Sequence, residues 1–108
     1  MSDGLYDVCW DFKAGEDLDQ IYKYLLENAS ENVAKKVKKE IVSAVSHLRQ
    51  YPESYPLDPL LRSRPEKFHY IRIWKYKIVY EFTGKECIIT RIFHFSQDLN
   101  KAYEDFDK

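Results

Sequence analysis

Glycine is scarce: Gly4, Gly15 and Gly84 are the only three in 108 residues, too scattered to form a glycine-rich loop that cradles a nucleotide's phosphates. Cysteine is scarcer still. Cys9 and Cys87 lie far apart with no C-x-x-C spacing, and only three histidines accompany them. A disulfide framework and a metal-ligand cluster are both excluded by that spacing, so two buried, reduced thiols and no metal or cofactor are expected. No apolar run approaches the roughly 20 residues that cross a bilayer. The start, MSDGLYDV, lacks the basic segment and hydrophobic stretch of an export signal, so a cytoplasmic protein without membrane contact is expected. Repeats, low-complexity tracts and linkers are absent too, and residues 1–108 read as one domain, the length that a single core fills. An excess of one charge is also missing. A net charge of −1 argues against a protein that grips nucleic acid through many phosphate contacts.

What is present is apolar material: 44% hydrophobic and 16% aromatic residues, enough to build a core that a disordered chain lacks. The charge is unevenly spread. Residues 1–34 hold two cations against eight acids, residues 35–94 thirteen against six, and residues 95–108 two against four. The basic middle is suited to an acidic partner or to phosphates, and Lys35, Lys36, Lys38 and Lys39 also fit a solvated helix face.

Leu5 to Phe12 reads as a short strand. From Gly15 to Asn28, Leu18, Ile21, Tyr22, Leu25 and Leu26 recur at the three- and four-residue spacing of an amphipathic helix, with Glu16 and Asp17 expected in its first turn. Ser30 is the expected N-cap of a second helix striped by Val33, Val37, Ile41, Ala44, Val45 and Leu48. So short a link makes the two a hairpin. All four prolines fall between Tyr51 and Lys67, which predicts an ordered loop rather than helix or central strand. Phe68 to Trp74, Tyr76 to Phe82 and Cys87 to Phe95 are rich in β-branched and aromatic residues, with Thr83, Gly84 and Lys85 as the last turn. The order strand, helix, helix, strand, strand, strand predicts an α+β domain, its helical hairpin packed on one face of a mainly antiparallel four-stranded sheet.

Alternation assigns the faces. Tyr76, Ile78, Tyr80 and Phe82 should meet the helices, leaving Lys77, Val79 and Glu81 on a polar, helix-distal face shared with Tyr70, Arg72 and Trp74. The last strand has apolar residues in both of its alternating sets, so its inner face stays open. Arg91, set among Ile89 and Phe93, needs a counter-ion if it is buried, and Asp17 or Asp19 of the first helix is the expected partner.

The element order, together with GEDLDQIYKYL in the first helix, LRQYPESYP at the end of the second, YKIVYEF in the third strand and IITRIFHFSQD at the end of the fourth, resembles the RelE/ParE superfamily of toxins over roughly residues 5–103. The resemblance implies the toxin of a bacterial type II toxin–antitoxin, or plasmid stabilisation, system, with an antitoxin as partner. It implies contacts to that antitoxin from the helical hairpin, for which Leu18, Tyr22, Val37 and Ile41 are the candidates.

Two activities diverge within the superfamily. RelE-like members cut messenger RNA on the ribosome, and ParE-like members poison DNA gyrase without being nucleases. A nuclease needs a base for the ribose 2′-hydroxyl, an acid for the leaving 5′-oxygen and cations for the phosphate. Arg72, Lys77, His94 and Tyr103 are the candidates for those roles. Phe95 stands where one nuclease branch has a tyrosine, and Gln97 near where RelE has an arginine, so an acid and a cation are missing. HFSQD, His94 to Asp98, resembles the H-x-x-x-D ending of ParE-like members. The reading taken is therefore a ParE-like gyrase inhibitor with no catalytic residue. The alternatives are a RelE-like ribosome-dependent endoribonuclease and a non-toxic antitoxin-binding module.

Overall fold

The computed structural model describes residues 5–97 and 99–104; Asp98, the last residue of HFSQD, lies outside the described residues. The elements are β1 (Asp7–Trp10), α1 (Phe12–Asn28), α2 (Glu31–His47), a 3-10 turn (Pro59–Leu61), β2 (Phe68–Ile73), β3 (Tyr76–Phe82), β4 (Glu86–His94) and α3 (Leu99–Ala102). The sheet order is β1-β4-β3-β2. β1 runs parallel to β4, and the other two pairings are antiparallel. The expected α+β layout is therefore observed, a helical hairpin on one face of a mixed four-stranded sheet.

Helix α1 begins at Phe12, three residues before the expected Gly15, so Glu16 and Asp17 stand in its second turn and no acid occupies the first. The extra turn has no apolar stripe to announce it, because Phe12 is exposed and only Ala14 turns inward. Helix α2 starts as expected: the Ser30 hydroxyl accepts from the Val33 amide at 3.1 Å, satisfying one of the orphan donors at a helix start. Both stripes point at the sheet. Leu18, Leu25, Val37, Ile41, Val45 and Leu48 pack with Ile71, Ile78, Tyr80 and Ile89 in the main core. Truncating a fully buried member such as Ile41 to alanine costs about 2–5 kcal/mol.

The two alternating sets of β4 are explained by a β-bulge. Val79 pairs with Arg91 but Tyr80 pairs with Ile89, leaving Thr90 as an extra residue whose hydroxyl donates to the Val79 carbonyl at 3.0 Å. The extra residue inverts the alternation. Cys87 and Ile89 reach the main core before the bulge and Ile92 reaches it afterwards.

The helix-distal face is not the open polar surface that alternation predicts. Phe68, Val79 and Phe93 project there and form a second, smaller core with Leu61 from the proline-rich loop and Tyr103 from the C-terminal segment. The loop is pinned along its length. Asp58 N–H donates to the Phe68 carbonyl at 2.8 Å and Tyr70 N–H to the Pro56 carbonyl at 3.1 Å, which covers part of the outer edge of β2. The buried Tyr80 hydroxyl donates to the Pro52 carbonyl at 2.7 Å, and His69, stacked on Tyr80, meets the Tyr55 carbonyl at 2.8 Å. Of the two thiols expected to be buried, Cys87 is, while Cys9 on edge strand β1 is exposed.

Candidate functional site

Register first decides which of the nuclease candidates can meet. Arg72 lies opposite Lys77, and Lys77 opposite Phe93, so these three side chains share the helix-distal face. His94 lies opposite Tyr76, whose ring belongs to the helix-side core, and the two rings meet edge to face at 5.3 Å. The bulge and the register thus send His94 to one side of the sheet and Arg72, Lys77 and Tyr103 to the other. The four do not converge on one phosphate.

Their chemistry is also committed. Lys77 is buried, 4% exposed, and its Nζ lies 3.1 Å from each carboxylate oxygen of Asp58, itself 1% exposed. The Tyr103 hydroxyl donates to Asp58 Oδ2 at 2.6 Å, and the Leu60 amide donates to Oδ1 at 2.9 Å. The ammonium also lies 4.7 Å from the Tyr70 ring centre and 5.3 Å from that of Tyr103. The set forms a closed, three-donor shell around one carboxylate, tying loop, β3 and C-terminal segment together. Burial, then the bond to Asp58 and its charge, push the Tyr103 phenol well above its usual range, so it holds its proton rather than exchanging it. Lys77, expected on an exposed polar surface, is instead a structural cation. Asp58 is the residue that the sequence reading missed; its signal was an acid placed one residue before a proline, in a loop rich in leucine.

His94 serves a turn. Its Nδ1 accepts the Ser96 amide at 3.0 Å and lies 2.6 Å from the Ser96 hydroxyl, which in the neutral ring places the proton on Nε2. Its own amide donates to Gln97 Oε1 at 2.8 Å. Arg72 alone of the four is exposed, its guanidinium 4.3 Å from the centre of the Phe95 ring.

Arg91 and Asp17 are brought together. Arg91 Nε donates to Asp17 Oδ2 at 2.8 Å and Nη2 to Oδ1 at 3.3 Å, a bidentate pair, while the Ile92 amide donates to Oδ2 at 2.9 Å. Both side chains are mostly buried, so the pair staples α1 to the bulged part of β4. Asp19 faces solvent.

Of the four antitoxin-contact candidates, Leu18, Val37 and Ile41 are spent inside the core, and only Tyr22 is partly accessible, with Lys38 Nζ 5.0 Å from its ring centre. The periodicity that marks a helix stripe marks the core-facing side, which a partner cannot reach. The apolar side chains that do face outward on the hairpin are Phe12, Tyr24, Leu26 and Val42. Beside Val42, a shallow groove of about 1090 Å³ runs along α2, lined by Lys39, Ser43, His47, Arg49 and Ile73. A second, smaller hollow of about 480 Å³ lies between α1 and the end of β4, where Tyr24, Tyr76, Arg91 and His94 line it. Among the described residues no group of three or more potential metal ligands comes together, and no helix is long and apolar enough to cross a membrane.

No curated protein sequence matches the chain. A solved structure described as the chromosomal ParDE TA system from P. aeruginosa is similar to it, with 25% sequence identity, a TM-score of 0.69, and coverage of 85% of this chain and 98% of that one. Residues 8–99 match the family described as ParE toxin of type II toxin-antitoxin system, parDE. The matched span runs from β1 through the bulged strand to the first residue of α3, leaving Tyr103 outside it but taking in Asp17, Asp58, Arg72, Lys77, Arg91 and His94, and the chain belongs to the ParE toxin family.

Proposed function

We propose that this protein is a toxin that acts by binding, inhibiting DNA gyrase in the cytoplasm, and that a cognate antitoxin neutralises it. The observation that carries the reading is the division of the nuclease candidates. His94 lies on the opposite face of the sheet from Lys77 and Tyr103, and those two are closed around Asp58. A transition-state phosphate needs cations and an acid aimed at one point, and this arrangement offers an exposed Arg72 and little else.

The antitoxin reading draws on the surface of the helical hairpin. Lys35, Lys36, Lys38 and Lys39 are exposed on α2, and Lys39 lines the groove with Glu40, Val42 and Arg49, a partly apolar and mainly basic surface suited to an acidic amphipathic segment that folds on contact. Tyr22 stays among the proposed contacts; Leu18, Val37 and Ile41 do not.

Expression of the chain alone should arrest growth with filamentation and a DNA-damage response while translation continues. The purified protein should inhibit gyrase supercoiling, and co-expression with the neighbouring antitoxin gene should restore growth. Prompt translation arrest with messenger RNA cleaved in the ribosomal A site would overturn the gyrase reading in favour of the nuclease. Normal growth at high levels of soluble protein would leave an antitoxin-binding module.

A further inference from the structure

The loop between β2 and β3 has two residues, Trp74 and Lys75, since Ile73 pairs directly with Tyr76. Two-residue hairpins of this kind take glycine, asparagine or aspartate at the position that needs a positive φ. Here Trp74 occupies it, at φ 57°, the only non-glycine residue with positive φ among those described. A bulky side chain in that region carries backbone strain, and strain of this kind collects at functional positions. The indole gains little burial in return. It is 49% exposed, and the Tyr76 ring lies 6.1 Å away and tilted.

The surroundings resemble the centre of a protein interface. Lys75 Nζ lies 5.4 Å from the Trp74 ring centre, and Arg72 caps Phe95 close by. Tyr76 links the tip to the hollow between α1 and β4, where Tyr24 is 59% exposed. Trp74 and Arg72 at the tip, with Tyr24 exposed on the helix side of the same end of the sheet, supply the tryptophan, arginine and tyrosine that recur in binding hot spots. The exposed charged side chains of the loop and its flanking strand ends, Arg72 and Lys75, are cations, which calls for an acidic rim on the other side.

We propose that the β2–β3 hairpin tip is the surface by which this toxin docks on its protein target, with Trp74 entering an apolar socket rimmed by acidic residues. The proposal rests on the reading that the toxin acts by binding a protein. A nucleic-acid stacking platform fits less well, because two cations at the tip of a chain of net charge −1 are too few for the run of phosphate contacts that such platforms use.

The test compares the full chain with Trp74→Gly and Trp74→Asn, both of which suit the positive φ. Melting temperature, affinity for purified gyrase and growth arrest on induction are measured for each. The variants should melt at or above the wild-type temperature, bind gyrase about 30-fold more weakly, the loss typical of truncating an interface tryptophan, and fail to arrest growth at matched soluble levels. Gyrase affinity and growth arrest within about threefold of wild type would overturn the proposal and leave the gyrase reading standing. If the wild-type chain itself does not touch gyrase, that reading falls alone. Growth arrest then decides the tip: its loss in the variants upholds the docking surface and its retention refutes it. Binding of a short single-stranded DNA or RNA that the variants lose, with protein binding unchanged, would overturn the proposal in favour of base stacking.

Discussion

Removing the Lys77 ammonium while keeping its bulk, as in Lys77→Met, is expected to destabilise the fold before it reports on any chemistry. Asp58 is 1% exposed and holds three donors: Lys77 at 3.1 Å, Tyr103 at 2.6 Å and the Leu60 amide at 2.9 Å. Loss of the cation leaves a buried carboxylate facing only neutral donors, a change that costs about 3–5 kcal/mol. Domains of this size have about 5–15 kcal/mol in total, so at least about a fifth of the stability goes. At about 4 °C or more per kcal/mol, the melting temperature should fall by about 12 °C or more. Tyr103→Phe removes a single bond to a charged acceptor and should cost about 1.5–3 kcal/mol. Lys77→Met combined with Asp58→Leu should cost less than Lys77→Met alone, because no charge is then stranded. Urea titrations of the four chains, followed by circular dichroism, give the required differences. A Lys77→Met chain within about 1 kcal/mol of wild type would refute the structural role and return Lys77 to the list of cations free to act on a phosphate. The corollary for toxicity assays is direct: a loss of toxicity in any Lys77 variant must be corrected for the folded fraction first.

Arg91→Ala should lower stability by about 2–4 kcal/mol, since it strands Asp17 beneath α1, and Asp17→Asn should fail to add its full cost on top; thermal melts of the single and double variants measure that coupling. The Cys87 thiol, pushed from its usual 9.0 up to about 11 by burial and then by the nearby Cys9 and Glu86, should react slowly with a thiol reagent at pH 8 in the folded protein. The sign follows from proton counts. Between pH 9 and about 11 the unfolded chain has lost this proton and the folded chain has kept it, so stability should decline as pH rises through that window, and Cys87→Ser should flatten the decline.

Periodicity made the two helices and the middle strand legible, because each buries one face against one neighbour and the repeat survives in the sequence. Tyr76–Phe82 matches its expected bounds, and Ser30 caps as its side chain suggests. The inner face of β4 was illegible for a physical reason. A bulge changes phase by one residue, and a strand buried on both sides has apolar residues in both sets, so nothing in the pattern marks where Thr90 is inserted. The burial of Lys77 was hidden by sequence distance. Its counter-ion lies nineteen positions earlier in a loop, and the lid over it, Tyr103, comes twenty-six positions later. Leu60 and Leu61 among the prolines, and Val79 between Lys77 and Glu81, were the available signs that the helix-distal face carries a cover. Arg91 was easier to place, because an arginine between Ile89 and Phe93 demands an acid and the first helix is rich in them.

Much of the helix-distal face of the sheet is covered, although Arg72 stays exposed at its end. Leu61 and Tyr103 fill the apolar part, and the Asp58 shell takes up Lys77. The helix side is filled by the main core. Among the described residues, two surfaces at the perimeter combine a hollow with exposed side chains: the outer flank of α2 on one side, and the hairpin tip with its neighbouring hollow at the end of the sheet. These two surfaces differ in character. The first is long, lysine-rich and shallow, which suits a segment that gains its structure on binding. The second is compact, aromatic and held by a two-residue turn, which suits insertion into a preformed socket. A toxin whose neutraliser and target use separate surfaces can hold both at once, and a single substitution at Trp74 should then abolish growth arrest while leaving antitoxin affinity within about twofold. A parallel fall in both affinities would show that the tip belongs to the antitoxin's footprint, so that neutralisation works by covering it.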